Sequence, residues 1–189
     1  SVETLILASG SPRRRELLER LQVKFRIQEA DIVESFVEGA APDRVVMELS
    51  WRKADAVAKN ISGSAVVLGA DTVVAVENKI LGKPSNREEA LSMLKALRGR
   101  IHHVYTGITL CFPVNTTYIQ AYERTEVSMA MVPDELLEWY VATGEPMDKA
   151  GAYGIQGQYG RMLVEKIDGD FYNVVGLPIA KVVRALSRT

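Results

Sequence analysis

Apolar and polar positions along the chain divide it into short β-rich runs and longer stretches of helical period. Val2–Ala8 (VETLILA) reads as a first strand, broken by Ser9-Gly10-Ser11-Pro12. Ser11 is a good helix N-cap and Pro12 a good first helical residue, and Leu17, Leu18 and Leu21 then give an apolar stripe at helical spacing. Lys24–Gln28 reads as a second strand, and Pro42–Asn60 as a helix with Val46, Leu49 and Val57 on one face. Ala65–Leu68 is apolar, rich in β-branched residues and bounded by Gly69, which predicts a buried strand with Asp71 just past its end. A second β-rich run, Thr72–Val76, follows at once. Asn78 is a turn residue, Lys79–Leu81 returns as the other arm of a hairpin, and Gly82-Lys83-Pro84 closes it.

Beyond this hairpin, Asn86–Leu97 predicts an amphipathic helix with Glu88 and Glu89 early, Lys95 and Arg98 late and Gly99 past the end, all in agreement with the helix dipole and a glycine stop. Val104–Phe112 and Thr117–Met131 read as two long antiparallel strands joined at Pro113–Thr116, and Pro133–Val141 as a short helix. Glycines at 151, 154, 157 and 160 match neither a P-loop nor a dinucleotide fingerprint, but they allow a ligand close to the backbone, with Gln156 among them. Arg161–Ile167 and Phe171–Val175 read as a last hairpin around Asp168-Gly169, and Pro178–Leu186 as a closing helix.

Composition narrows the class. The 189 residues suffice for one sizeable core, as a single domain or a two-lobed one, and 47% hydrophobic with 25% charged residues is ordinary for a soluble globular protein. With a net charge of −1 there is no global basic field for a nucleic acid polymer or a membrane, so any anion site is local. No apolar run approaches a membrane span and the N-terminus shows no signal-peptide pattern, so a cytoplasmic protein is expected. Cys111, between Leu110 and Phe112, reads as a buried strand residue.

Against this background a few polar residues stand out. Arg13, Arg14 and Arg15 occupy the first turn of the Pro12 helix, where the dipole disfavours cations. An anion at the exposed N–H groups would reverse that penalty, with Ser9 and Ser11 in the preceding loop. Lys53 falls on the apolar stripe of its helix, four residues from both Leu49 and Val57. A lysine there more commonly snorkels outward, the alternative being a polar cleft and a phosphate. Asp71 caps a turn or acts at the end of a buried strand, where ligands of α/β proteins collect, and Lys83 is solvated or rests on a rigid turn facing the same ligand. The acidic segment around Asp31 and Glu34 is ordinarily a solvated loop, with both residues in reserve as metal ligands. His102 and His103, being adjacent on a strand, face opposite ways and cannot form a metal site by themselves. Basic groups at a helix start suit a polyphosphate, and a carboxylate pair suits a bridging divalent cation, which makes metal-assisted hydrolysis of a phosphoanhydride the best-supported chemistry.

LASGSPRRRELL, Lys53 in WRKADAVA, GADTVV, LGKP, EPMDKAGAYGIQG and KIDGDFYNVVGLP together resemble the Maf (septum formation inhibitor) family of nucleotide pyrophosphatases, over nearly the whole chain. The resemblance implies a single domain over residues 1–189 with an α/β fold like that of the inosine triphosphate pyrophosphatases: an elongated mixed β-sheet flanked by helices, and two lobes around a central cleft. It implies hydrolysis of a nucleoside triphosphate to the monophosphate and pyrophosphate, with a divalent metal cation, Mg²⁺ or Mn²⁺. By motif match Asp71 is the proton acceptor for water, Glu34 and Asp71 face the metal, and Ser9, Arg13, Arg14, Lys53 and Lys83 line the triphosphate. Arg13, Thr72 and Gln156 match the specificity set of the dTTP and UTP branch, with modified pyrimidine triphosphates as further candidates. The family often forms homodimers. Two other readings compete: a nucleotide-binding regulator of cell division without turnover, and a purine-directed housecleaning pyrophosphatase.

Overall fold

The computed structural model describes residues 4–189. Among the described residues seven strands form one mixed sheet in the order β2-β1-β3-β5-β6-β7, with β4 paired to β3 off this path. The strands are β1 (Thr4–Leu7), β2 (Phe25–Ile27), β3 (Ala65–Val76), β4 (Lys79–Leu81), β5 (Ile101–Phe112), β6 (Thr117–Met129) and β7 (Val164–Asp168). The α-helices that accompany them are α1 (Pro12–Arg20), α2 (Pro42–Ala58), α3 (Arg87–Leu97), α4 (Asp134–Ala142), α5 (Phe171–Val175) and α6 (Ile179–Leu186). Val2 and Glu3, the start of the expected first strand, lie outside the described residues. The chain falls into two compact units, one made of the chain through Asp71, Thr106–Glu123 and Gly176–Thr189, the other of Thr72–Tyr105 and Arg124–Val175.

In the first unit, β1 pairs in parallel with β2 (Leu5↔Phe25) and with β3 (Leu5↔Val66). Parallel strands are covered on both faces; accordingly Ile6, Ala8, Val67 and Cys111 pack with Ala54 and Val57 of α2. Burial pushes the Cys111 thiol up to about 11, with Asp55 adding to the shift, so it is an inert strand residue as expected.

The expected break in the third strand is absent: β3 runs without interruption from Ala65 to Val76, and Asp71 lies inside it rather than past its end. Gly69 is there because α2 presses on the strand. A Cβ at Gly69 would run into Ser50 O and the Ala54 backbone, and one at Gly107 of β5 into Val46 O. The helix is clamped in that seat by a buried Ser50–Thr109 hydroxyl pair at 2.8 Å and by Gln120 Nε2 donating to Met47 O at 2.7 Å.

The second unit has its own core, in which Leu94, Leu97, Val104, Val127, Leu137, Tyr140 and Tyr153 are buried together. Here β4 returns antiparallel to β3 (Val74↔Leu81) through Glu77 and Asn78, both with positive φ, the hairpin the sequence predicts. Asn86 caps α3 by accepting from Glu89 N at 2.8 Å, and Gly99 follows the helix at φ 65°.

The last expected hairpin does not form. β7 pairs with β6, but Phe171–Val175 is the helix α5. Asp170 turns it into one: its Oδ1 accepts from the Tyr172 and Asn173 N–H groups, an N-cap contact that outweighs the β propensity of Phe-Tyr-x-Val-Val. Asn173 is then held inside by donating to Val104 O (3.0 Å) and Thr125 Oγ1 (2.9 Å).

Candidate active site

The tight seat of α2 on Gly69 decides where the next turn of that helix points. Lys53, beside Ala54, reaches over the strand to Asp71, two residues beyond Gly69. Its Nζ lies 2.9 Å from Asp71 Oδ1 and 2.7 Å from Glu34 Oε1, with Ala70 O at 3.5 Å. The side chains of Lys53 and Asp71 are only 11% and 10% exposed. The commoner expectation for Lys53, snorkelling outward, is therefore overturned: two carboxylates hold the ammonium inward.

Glu34 comes from an irregular exposed segment, and its place is fixed from below. Arg52, the neighbour of Lys53, donates to Val33 O (2.6 Å) and Ser35 O (2.9 Å), so its guanidinium brackets Glu34 by the two flanking carbonyls. No sequence motif marks Arg52; an arginine preceding the stripe lysine is the only hint. Asp31, the other reserve ligand, is exposed.

The loop after β1 closes the other side. Ser11 caps α1, and Ser9 Oγ accepts from Ser11 N (3.2 Å) and from Arg14 Nη1 (3.4 Å). Among the three arginines of the first turn, Arg15 faces Glu19 at 3.7 Å, Arg13 is half-buried, and Arg14 is buried with its Nε donating to Gly176 O at 2.8 Å. Arg14 thus also serves as a strut between the β1–α1 loop and the segment before α6. Burial lowers the pKa of Arg14, and Asp71 and then Glu34 act to raise it, while Arg13 lowers it. Arg14 thus lies in the fields of Asp71, Arg13 and Glu34, and Lys53 pairs with both Asp71 and Glu34. The first unit thereby brings together six of the expected residues: Ser9, Arg13, Arg14, Glu34, Lys53 and Asp71.

Three expected residues belong to the second unit. Thr72 follows Asp71 in β3 and is half-buried, Lys83 is exposed on the turn after β4, and Gln156 is exposed at the tip of a turn closed by Gly157 N donating to Gly154 O at 3.0 Å. His102 and His103 face opposite ways as expected, His102 fully buried and His103 half-buried.

Among the described residues Asp71 Oδ2 is buried without a hydrogen-bond partner, while Oδ1 is held by Lys53. An orphaned carboxylate oxygen in a protein interior calls for a proton, a cation or a ligand. With Glu34 as a second carboxylate, the donor set fits a hard divalent cation that takes its remaining ligands from water and phosphate. Among the described residues no three His, Cys, Asp or Glu side chains cluster as a metal cage. A strand carboxylate, a buried lysine and a helix N-terminus in one unit can hold a polyphosphate and take a proton beside it.

A family model described as Maf-like protein matches residues 4–189. The dTTP/UTP pyrophosphatase of Thermoanaerobacter sp. (strain X514) is 50% identical over 184 residues, covering 97% of this chain and 95% of the relative. That of Bacillus cereus (strain B4264) is also 50% identical over 184 residues, covering 97% and 94%. Among solved structures, the Staphylococcus aureus Ham1 protein is similar with a TM-score of 0.52 at 14% identity, over 86% of this chain and 80% of that one. A HAM1 protein from Coxiella burnetii gives 0.51 at 16% identity, over 86% and 81%. These two likenesses concern the fold alone.

Proposed function

The chain belongs to the Maf family, and from that premise we propose that it is a nucleoside triphosphate pyrophosphatase acting on dTTP and UTP. Water attacks the α-phosphorus, the Pα–O–Pβ bond breaks, and the products are the monophosphate and pyrophosphate. The observation that carries the chemistry is Asp71: a buried carboxylate with Oδ1 held by Lys53 and Oδ2 without a partner among the described residues. Oδ2 is the atom that takes the proton of the attacking water, and the Lys53 contact fixes the carboxylate in direction. Lys53, Arg13 and the N–H groups at the start of α1 meet phosphate charge that grows in the transition state. Glu34 and Asp71 would hold the divalent cation, Mg²⁺ or Mn²⁺, which supplies charge neutralisation to the phosphates when bound. Lys83 and Ser9 complete the phosphate contacts in this reading, and Thr72 and Gln156 read the base.

Relatives at 50% identity named dTTP/UTP pyrophosphatase support the substrate, and Gln156 supplies the chemistry for it. A uracil-type base presents acceptors at O2 and O4 and a donor at N3, which a single carboxamide can meet with one donor and one acceptor. Cytosine exchanges O4 for an amino group and lacks the N3 proton. A site built on such pairing rejects ligands that leave its polar groups unmatched. Nucleotide hydrolysis of this kind belongs in the cytoplasm.

Pyrophosphate release across the eight common nucleoside triphosphates, with Mg²⁺ and with Mn²⁺, tests the reading. dTTP and UTP should be turned over faster than every purine nucleotide, and Gln156→Ala should lower kcat/KM for dTTP by roughly tenfold, as one unpaired buried polar group costs about 1–3 kcal/mol. Preference for a purine would replace the substrate and leave the chemistry; nucleotide binding with no turnover of any triphosphate would favour the regulator.

A further inference from the structure

The second unit contains a buried polar pair that the hydrolysis itself does not use. His102 is fully buried in β5, and its Nε2 lies 2.6 Å from the hydroxyl of Tyr153, itself 5% exposed, with the two rings edge to face at 5.3 Å. Among the described residues His102 Nδ1 is buried without a partner, and the ring's hydrogen bond is to Tyr153. Placing an imidazole and a phenol in an apolar core is costly unless each satisfies the other, and apolar side chains of the same volume would fill the space without that cost. Packing alone does not explain why both are polar.

The backbone that Tyr153 anchors supplies the reason. Gly151 and Ala152 immediately before it have φ of 71° and 65°. Two consecutive left-handed residues, one of them an alanine, persist only where surrounding contacts impose them. Gly151 lies against the Val74 side chain, which a Cβ would meet at 3.0 Å, and its N–H donates to Gly82 O at 3.1 Å. Gly82 is the residue before Lys83. On the far side of Tyr153, Gly154 and Gly157 close the turn that carries Gln156, and Tyr159 N donates to Glu145 Oε1 at 3.2 Å. One strap, residues 149–159, is therefore tied at Gly151 to the Lys83 turn, at Tyr153 to the core, and at Tyr159 to Glu145. Between the last two ties only the turn of Gln156 is left outside.

We propose that the Tyr153–His102 hydrogen bond is a positioning device for substrate selection: it fixes the turn of Gln156 in register with the turn of Lys83, so that base and phosphate are read at one set distance. Neither residue touches the nucleotide. The proposal rests on the reading of Gln156 and Lys83 as nucleotide contacts given above. Tyr153→Phe removes only the hydroxyl and leaves the ring packing in place. His102→Gln keeps a nitrogen near the position of Nε2, whereas His102→Asn is one bond too short to reach Tyr153.

Steady-state kinetics with dTTP and dATP, each variant measured well below its own melting temperature, decide the matter. Tyr153→Phe and His102→Asn should raise KM for dTTP by about five- to tenfold, the scale of one lost hydrogen bond, with a smaller change in kcat. Both should lower the dTTP-to-dATP ratio of kcat/KM by a similar factor, and His102→Gln should restore it to within about twofold of the parent, well inside the scale of that bond. A purely structural role would lower the melting temperature and leave the ratio unmoved, and that result overturns the proposal. If Tyr153→Phe does not fold, the two His102 variants carry the test, and equal ratios for both overturn it. Should the parent not hydrolyse dTTP, the substrate reading fails by itself. Amide hydrogen exchange of Gly151 and Gly157 in His102→Asn against His102→Gln then decides: faster exchange in the asparagine variant alone supports the strap, and equal exchange overturns it.

Discussion

Asp71 shows how one side chain is prepared by its neighbours. Its two oxygens are differently employed, Oδ1 at 2.9 Å from Lys53 Nζ and Oδ2 buried without a partner. A carboxylate held through one oxygen keeps the lone pairs of the other for a proton. Asp71→Asn preserves the shape and loses both charge and basicity. The expected outcome is a loss of pyrophosphate release of about 10²–10⁴-fold, with the circular dichroism of the folded protein unchanged. Activity within about threefold of the parent, far short of that loss, would mean that Asp71 serves only as a counter-ion to Lys53. The arginines of α1 separate in the same way. Arg14 is drawn inward to Gly176 O and Arg15 outward to Glu19, so identical residue types in one turn acquire different work.

Among the elements, α2 and β3 set the geometry from which the site follows. Gly69 and Gly107 remove two side chains so that the α2 backbone can touch the sheet, and Lys53 meets Asp71 because of that closeness. Gly69→Ala would place a methyl against Ser50 O and Ala54, while the Ser50–Thr109 and Gln120–Met47 contacts prevent the helix from lifting freely. Overpacking of this kind costs about 1–3 kcal/mol, which for a chain of this size corresponds to a fall in Tm of roughly 3–10 °C. Pyrophosphate release should fall with it, measured below the new Tm, because the helix carrying Lys53 is displaced. An unchanged Tm would show that α2 is not seated on the glycine.

For the molecule as a whole, His102 makes a specific contribution to the pH dependence of stability. Burial, and next the neighbouring His103, lower its pKa from 6.5 to about 4. The unfolded chain therefore binds a proton at His102 that the folded chain refuses. Stability from this group is complete above pH 6.5 and is lost as the pH falls from there towards 4, by up to about 3 kcal/mol. Thermal unfolding followed between pH 8 and 4 should show a decline that begins near the ordinary histidine value, above the range of most carboxylates. His102→Gln should flatten the upper part of that decline and leave the carboxylate part. A parent and variant with parallel curves would place the acid sensitivity elsewhere.

Local chemistry within the sequence determined a good deal: the Ser11-Pro12 start of α1, the Asn86 cap and Gly99 stop of α3, the Glu77-Asn78 hairpin, the buried cysteine and the opposed histidines. Each is an interaction within about four residues, the reach over which caps, turns and side-chain periodicity act. The cap at Asp170 lies within the same reach, but there the β-rich composition of Phe171–Val175 concealed it. Other features belonged to the tertiary structure. Gly69 looks like a strand end until a helix is laid on it, and Lys53 looks like a snorkelling residue until Asp71, 18 positions away, comes to face it. Tyr153 and His102 are 51 positions apart, and Arg14 and Gly176 are 162. Those pairings depend on which backbones approach closely enough to bring polar atoms within hydrogen-bond reach, and no local period in the chain records that distance.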